Sequence, residues 1–303
     1  MKQSKKNLGW IKDYPDIRDY NPKTSTILRN PLKPNPNKSI KEILEEIRKK
    51  MNIKGKLEKK VDLRKWCSPI KNQGNIGSCT AFAAVGMYEY FQKRVHNKYI
   101  DGSELFVYKT TRNILNWKGD TGGYLRTAMG SLALFGVPPT SSYPYETDKY
   151  DEEPPAFIYS YGQNFQALSY FRLDPLGASA SQTLTEIKNL LAIGIPSMMG
   201  FTCYTALEHP DTEKTGKIPF PGENESVLGG HAVMVIGYDD DLVIKNPIDG
   251  KSKKGGLIIR NSWGKWGDDG YGYIPYEYVK QKLASDFWSI ISAEWIDSEM
   301  FKQ

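Results

Sequence analysis

The stretch "NQGNIGSCTAF", residues 72–82, places Gln73, two glycines and Cys79 directly before an apolar run. Within that run Cys79, Phe82, Ala83, Gly86, Met87 and Tyr90 recur at steps of three and four residues, which predicts a buried helix from Cys79 to about Val95. Cys79 then opens the helix. The unpaired N–H groups and the dipole at a helix start favour an anion, so a thiol placed there is expected to ionise readily and to be nucleophilic near neutral pH.

Such a nucleophile needs a base, and the chain has three histidines. His96 follows Lys93 and Arg94 at the end of the predicted helix, where a cation suits the negative pole. His209 lies in a polar, Pro/Gly-punctuated loop from Thr205 to Gly229 and reads as a surface residue. His231 is different. It starts the apolar strand "HAVMVIGY" after Gly229 and Gly230, which leave room for a ligand to approach. Asn261, ending the strand "LIIRN", supplies the partner that would fix the tautomer, and Trp263 would shield that bond from water.

The totals agree with a folded enzyme-sized chain. Its 303 residues, 39% of them apolar, suffice for one large domain or two lobes around a cleft. Lys plus Arg number 41 against 35 Asp plus Glu, with the signs interspersed, so no nucleic-acid partner is expected. Three unevenly spaced cysteines make neither a disulfide framework nor a zinc site, and no metal or cofactor is expected. The start lacks the apolar core of a secretory signal and no run reaches membrane-spanning length, so we expect a cytoplasmic protein without a membrane partner.

Residues 1–57 read as a leader. The stretch "NPLKPNPNK" favours an extended strand, and a helix follows, with Ser39 and Glu42 as a capping box, Ile40, Ile43, Leu44, Ile47 and Met51 on one face, and Gly55 as its stop. A further helix is expected near 122–135. From about residue 165 short β-rich runs alternate with Gly, Pro and Asp. The expected organisation is a helical half at about 70–165 and a β half at about 166–295, with no internal repeat.

Together, "NQGNIGSCTAF", "GGHAVMVIGY" and "IIRNSWGKWGDDGYGY" resemble the papain-like cysteine peptidases, with "TGGY" and "YPY" between them in the family's order. The resemblance implies an α+β, two-lobed fold, a helical lobe facing an antiparallel β-barrel-like lobe across the active-site cleft. It implies Cys79 as nucleophile, His231 as general acid/base, Asn261 as its orienter, and Gln73 as an oxyanion-hole donor with the Cys79 N–H. Gly122 and Gly123 match the glycines that pair with substrate backbone, while Gly230 and Trp263 border the substrate. The family's cysteine pair is replaced by Ile76 and Asp120, and Thr80 stands where the best-known members have tryptophan. Those departures, and a leader without the usual long helical propeptide, are closer to bacterial, archaeal and viral members. The expected function is a monomeric cysteine endopeptidase acting on a peptide or protein substrate through a thioester, a zymogen whose leader covers the cleft. Alternatives are a silent homologue that binds peptides or a protein partner, and an acyl transferase or amidase using the same residues.

Overall fold

The computed structural model describes residues 6–24, 39–50, 57–166 and 169–291. The Pro-rich stretch 30–38, Met51 and Gly55 lie outside them. Helices α1 (Ile40–Lys50), α2 (Cys79–His96), α3 (Glu104–Ile114), α4 (Leu125–Leu134) and α5 (Ala156–Gly162) precede most of the strands, and α6 (Ala180–Ala192), α7 (Pro210–Thr215) and α8 (Glu277–Lys280) lie among them. The strands are β1 (Lys60–Asp62), β2 (Ser169–Arg172), β3 (Ser197–Tyr204), β4 (Val227–Lys245), β5 (Ser252–Arg260), β6 (Tyr271–Pro275) and β7 (Ala284–Ile291). They form one antiparallel sheet in the order β2-β7-β3-β4-β5-β6, with β1 paired to β4. The α+β architecture is therefore as the sequence implies. No helix among the described residues is long and apolar enough to cross a membrane.

Helix α2 is the hub. Its residues from Cys79 to Phe91 are all buried, Gln92 and Lys93 only partly, because α3 and α4 pack against it on one side and β4 on the other. The β4 run from His231 to Tyr238 is buried residue after residue, the pattern of a strand covered on both faces. The capping box at α1 is present, with Glu42 Oε2 accepting from the Ser39 N–H at 2.7 Å. Ile40, Ile43, Leu44 and Ile47 are buried and Arg48 pairs with Glu186 of α6.

Five helices, α3, α5, α6, α7 and α8, escape the periodicity reading, and the two longest of them carry caps. Helix α3 starts at Ser103, whose Oγ accepts from the Phe106 N–H. Helix α6 has a complete capping box of Ser179 and Gln182, a signal present in "SASQ" but set among β-rich text. The sheet also begins earlier than expected, since β1 pairs with β4 before the chain builds α2.

One contact fixes how α2 sits on the sheet. Arg260, at the end of β5, is buried and donates from Nη2 to Ser68 Oγ at 2.9 Å and to the Pro69 carbonyl at 2.8 Å. Its guanidinium lies over Gly86, where a Cβ would come within 1.9 Å of Nη1. Ala in place of a helical Gly ordinarily stabilises by about 0.5–1 kcal/mol. Here the overlap with a hydrogen-bonded buried guanidinium outweighs that gain, so Gly86→Ala is expected to destabilise by about 1–3 kcal/mol, read from the midpoint of urea unfolding.

Candidate active site

His231 lies in β4 opposite Phe201 of β3 and is fully buried. Its Nε2 is 2.8 Å from Asn261 Oδ1, which also accepts the Ser262 N–H at 2.8 Å. That backbone donor fixes which end of the Asn261 amide is oxygen, so Nε2 carries the imidazole proton and Nδ1 is left with a free lone pair. Nδ1 has no hydrogen-bond partner among the described residues. Trp263 stacks on the ring at 4.2 Å between centroids and Phe201 meets it edge-on at 5.8 Å, closing the His231–Asn261 bond off from solvent.

Cys79 is the first residue of α2 and is also fully buried. Its thiol faces backbone N–H groups of Ala232, Gly9, Thr80 and Cys79 itself. Ala232 adjoins His231, so the helix start and β4 meet at the sulfur. The protonation state differs from the expected thiolate. Burial pushes the Cys79 thiol up to about 11, against the pull of those N–H groups, and lowers His231 to about 4 in spite of Asn261. Both charged forms are penalised by the same loss of water, and the pair rests neutral.

Gln73 is fully buried and held at both ends. Its Oε1 accepts from Ser262 Oγ at 2.6 Å and its backbone N–H donates to the Ser262 carbonyl at 2.8 Å. The amide Nε2 donates to the carbonyls of Ile76 at 2.9 Å and Asn7 at 3.1 Å. Ser262 is a site residue that the sequence reading does not single out, although it sits between Asn261 and Trp263 in the quoted run. Nothing in a one-dimensional pattern shows that its hydroxyl turns back to Gln73, 189 positions away.

What removes the water is the leader. Gly123 donates its N–H to the Gly9 carbonyl at 2.8 Å and accepts from Ile11 at 3.2 Å, while Trp10 donates to the Gly230 carbonyl at 3.0 Å. These contacts need bare backbone. A Cβ at Gly122, which has φ +74°, would lie 2.1 Å from the Gly9 oxygen, and one at Gly230 would lie 2.4 Å from that of Trp10. Lys6 pairs with Glu213 of α7 and lies over the Trp263 ring, so the 205–229 loop also touches the leader. Farther along, Arg126 takes the carboxylates of Asp13 and Asp19 and the Tyr14 carbonyl.

Ile76 and Asp120 stand at the two positions without the family cysteines, and the segments that carry them are joined through Gly77 instead. Asp120 Oδ1 accepts the Gly77 N–H at 2.8 Å and the Tyr108 hydroxyl, tying the loop before Cys79 to the segment before Gly122.

A thiol, a tautomer-fixed imidazole and an aimed amide on a helix-plus-sheet scaffold define a cysteine-protease type of site. The family model for papain family cysteine proteases matches residues 57–288, and the chain belongs to that family. It is 31% identical over 294 residues to a peptidase C1-like protein of Acanthamoeba polyphaga mimivirus, covering 94% of this chain and 86% of that one. Chymopapain of Carica papaya is 31% identical over 215 residues, which span 67% of this chain and 50% of the papaya protein. Among solved structures, xylellain, a cysteine protease from Xylella fastidiosa, superposes with a TM-score of 0.69 at 28% identity, over 97% of this chain and 98% of that one.

Because burial pushes the Cys79 thiol up, little thiolate is present at pH 7 in the full chain. Iodoacetamide should therefore alkylate Cys79 of the full chain no faster than Cys67 at pH 7, with the rate rising as pH climbs toward 11. Peptide mapping by mass spectrometry reads this, and fast, selective labelling of Cys79 at pH 7 in the intact chain would refute it.

Proposed function

We propose that this protein is a cysteine endopeptidase that cleaves peptide bonds through a thioester on Cys79, and that its leader holds it inactive. The observation that carries the reading is the Asn7 carbonyl on Gln73 Nε2 with the Gly9 N–H facing the sulfur: a peptide backbone already lies where a substrate would. Once the leader leaves and water returns, the desolvation that keeps Cys79 and His231 neutral is relieved. The thiol proton passes to the free Nδ1 of His231, and the thiolate attacks the carbonyl carbon. Gln73 Nε2 and the Cys79 N–H stabilise the oxyanion. His231 then gives its proton to the departing amine, leaving the thioester, and takes a proton from the water that hydrolyses it. Asn261 keeps the ring in the tautomer this needs, and Ser262 keeps the Gln73 amide pointing inward.

A silent peptide-binding homologue is favoured by one fact, the complete burial of the neutral pair. Leader removal separates the readings. A chain lacking residues 1–24 should hydrolyse a mixed peptide library at least tenfold faster than the full chain, and Cys79→Ala in that background should abolish turnover. Unchanged rates in a folded, truncated protein would reject inhibition by the leader, and absence of any Cys79-dependent cleavage would reject the peptidase. Gln73→Ala in the same background should lower kcat by about 10²–10³-fold, the usual effect of deleting an oxyanion donor.

A further inference from the structure

The motif "YPY", residues 143–145, ends in a tyrosine that no step of the proposed reaction uses. The Tyr145 ring meets Phe82, in the first turn of α2, edge-on at 4.9 Å between centroids. Its hydroxyl donates to the Gln73 carbonyl at 2.8 Å, and Ser78 Oγ lies 2.7 Å from the same oxygen. The phenolic proton is used on the carbonyl, so Ser78 is the donor in the second bond. Burial raises the Tyr145 hydroxyl well above its ordinary value, and it remains a donor at neutral pH. Ser78 is diverted by this bond. A serine just before a helix ordinarily caps it by accepting an N–H of the first turn. Ser78 makes no such bond: its backbone, at φ −89° and ψ 12°, lies in the bridge region rather than the extended one that capping serines adopt, and its hydroxyl turns to Tyr145. A sparsely populated backbone without its cap is the kind of feature that collects where it serves a site. The N–H groups of Cys79 and Thr80 are thereby left facing the sulfur.

Gln73 carries one donor of the oxyanion hole, Nε2, and Ser78 directly precedes the other, the Cys79 N–H. Ser262 holds Gln73 by its side chain and its N–H, while Tyr145 holds it by the carbonyl and takes Ser78 with the same oxygen. We propose that Tyr145 is a positioning residue of the oxyanion hole, whose hydroxyl bridges the Gln73 carbonyl and the Ser78 side chain and so fixes the spacing between Gln73 Nε2 and the Cys79 N–H. The effect on turnover rests on the peptidase reading, but the bridge itself does not. An oxyanion develops only as the thiolate adds to the carbonyl, so donors held at the right spacing act on kcat and leave ground-state binding unchanged. Spacing has meaning only while both donors exist, so the contribution of Tyr145 vanishes once the Gln73 amide is gone.

Two experiments test this. Tyr145→Phe keeps the ring on Phe82 and removes the hydroxyl, and Ser78→Ala removes the other half of the bridge. Both are made in the full chain carrying Lys6→Ala and Trp10→Ala, which removes two of the leader's contacts with the cleft. Each should lower kcat for library peptides by about tenfold with KM within about twofold, and the two together should do little more than either. With Gln73→Ala already present, Tyr145→Phe should change kcat by less than about twofold. An unchanged kcat, a loss carried by KM, or an equal loss in the Gln73→Ala background would overturn the proposal.

The second measurement needs no turnover. In the intact chain, losing the bridge lets the Gln73 loop open more often. The Gln73 carboxamide protons, followed by NMR, should therefore exchange with water about tenfold faster in Tyr145→Phe and in Ser78→Ala, while those of Gln92, near the other end of α2, keep their rate. Unchanged Gln73 exchange sinks the bridge. A parent without any Cys79-dependent cleavage sinks the peptidase reading instead, and the exchange rates then decide the role of Tyr145 by themselves.

Discussion

The buried seat of α2 on the sheet governs everything built above it. Cys79 opens a helix, His231 lies within β4 and Asn261 directly follows β5, and the packing of Gly86 against the Arg260 guanidinium sets their mutual height. Arg260 immediately precedes Asn261, so the same residue that fixes the helix also anchors the strand end that orients the imidazole. A buried charge is costly unless it is hydrogen-bonded, and Ser68 and Pro69 meet that need from the segment leading into α2. Helix, strand end and connecting chain are thereby locked at one point.

On that frame the N-terminal segment both fills the cleft and keeps water out of it. It fills the cleft with backbone hydrogen bonds to Gly123 and Gly230 and covers the sulfur with Gly9. Because ionisation of the Cys79–His231 pair creates two charges, excluding water penalises the reactive form twice. The acidic residues of this segment, Asp13 and Asp19, are taken up by Arg126.

The bracket made by Asp120 has a similar logic. Where the best-known relatives of this family use a covalent link, this chain uses one carboxylate that accepts from the Gly77 backbone and from Tyr108. Tyr108 in turn accepts the Gly122 N–H at 3.1 Å, so the loop before Cys79 and the position of Gly122 are joined by one hydrogen-bonded chain. That solution is indifferent to the redox state of the surroundings.

Local signals are legible in the order of residues alone: the helical period after Cys79, the apolar strand through His231 (which the structure begins earlier, at Val227), the Ser39 capping box and the succession of family motifs. Each depends on neighbours within a few positions. Helices α3 and α6 escape that reading because their signals are short caps inside text of another character. Folding in three dimensions was needed to bring the Ser262 hydroxyl to Gln73 and Asp286 to Trp10 from 276 positions away, and to bury Cys79 and His231 so that the thiol is pushed up and the imidazole down. Charge state depends on how much water reaches an atom, and water access is a property of the packed whole, which no stretch of chain encodes alone.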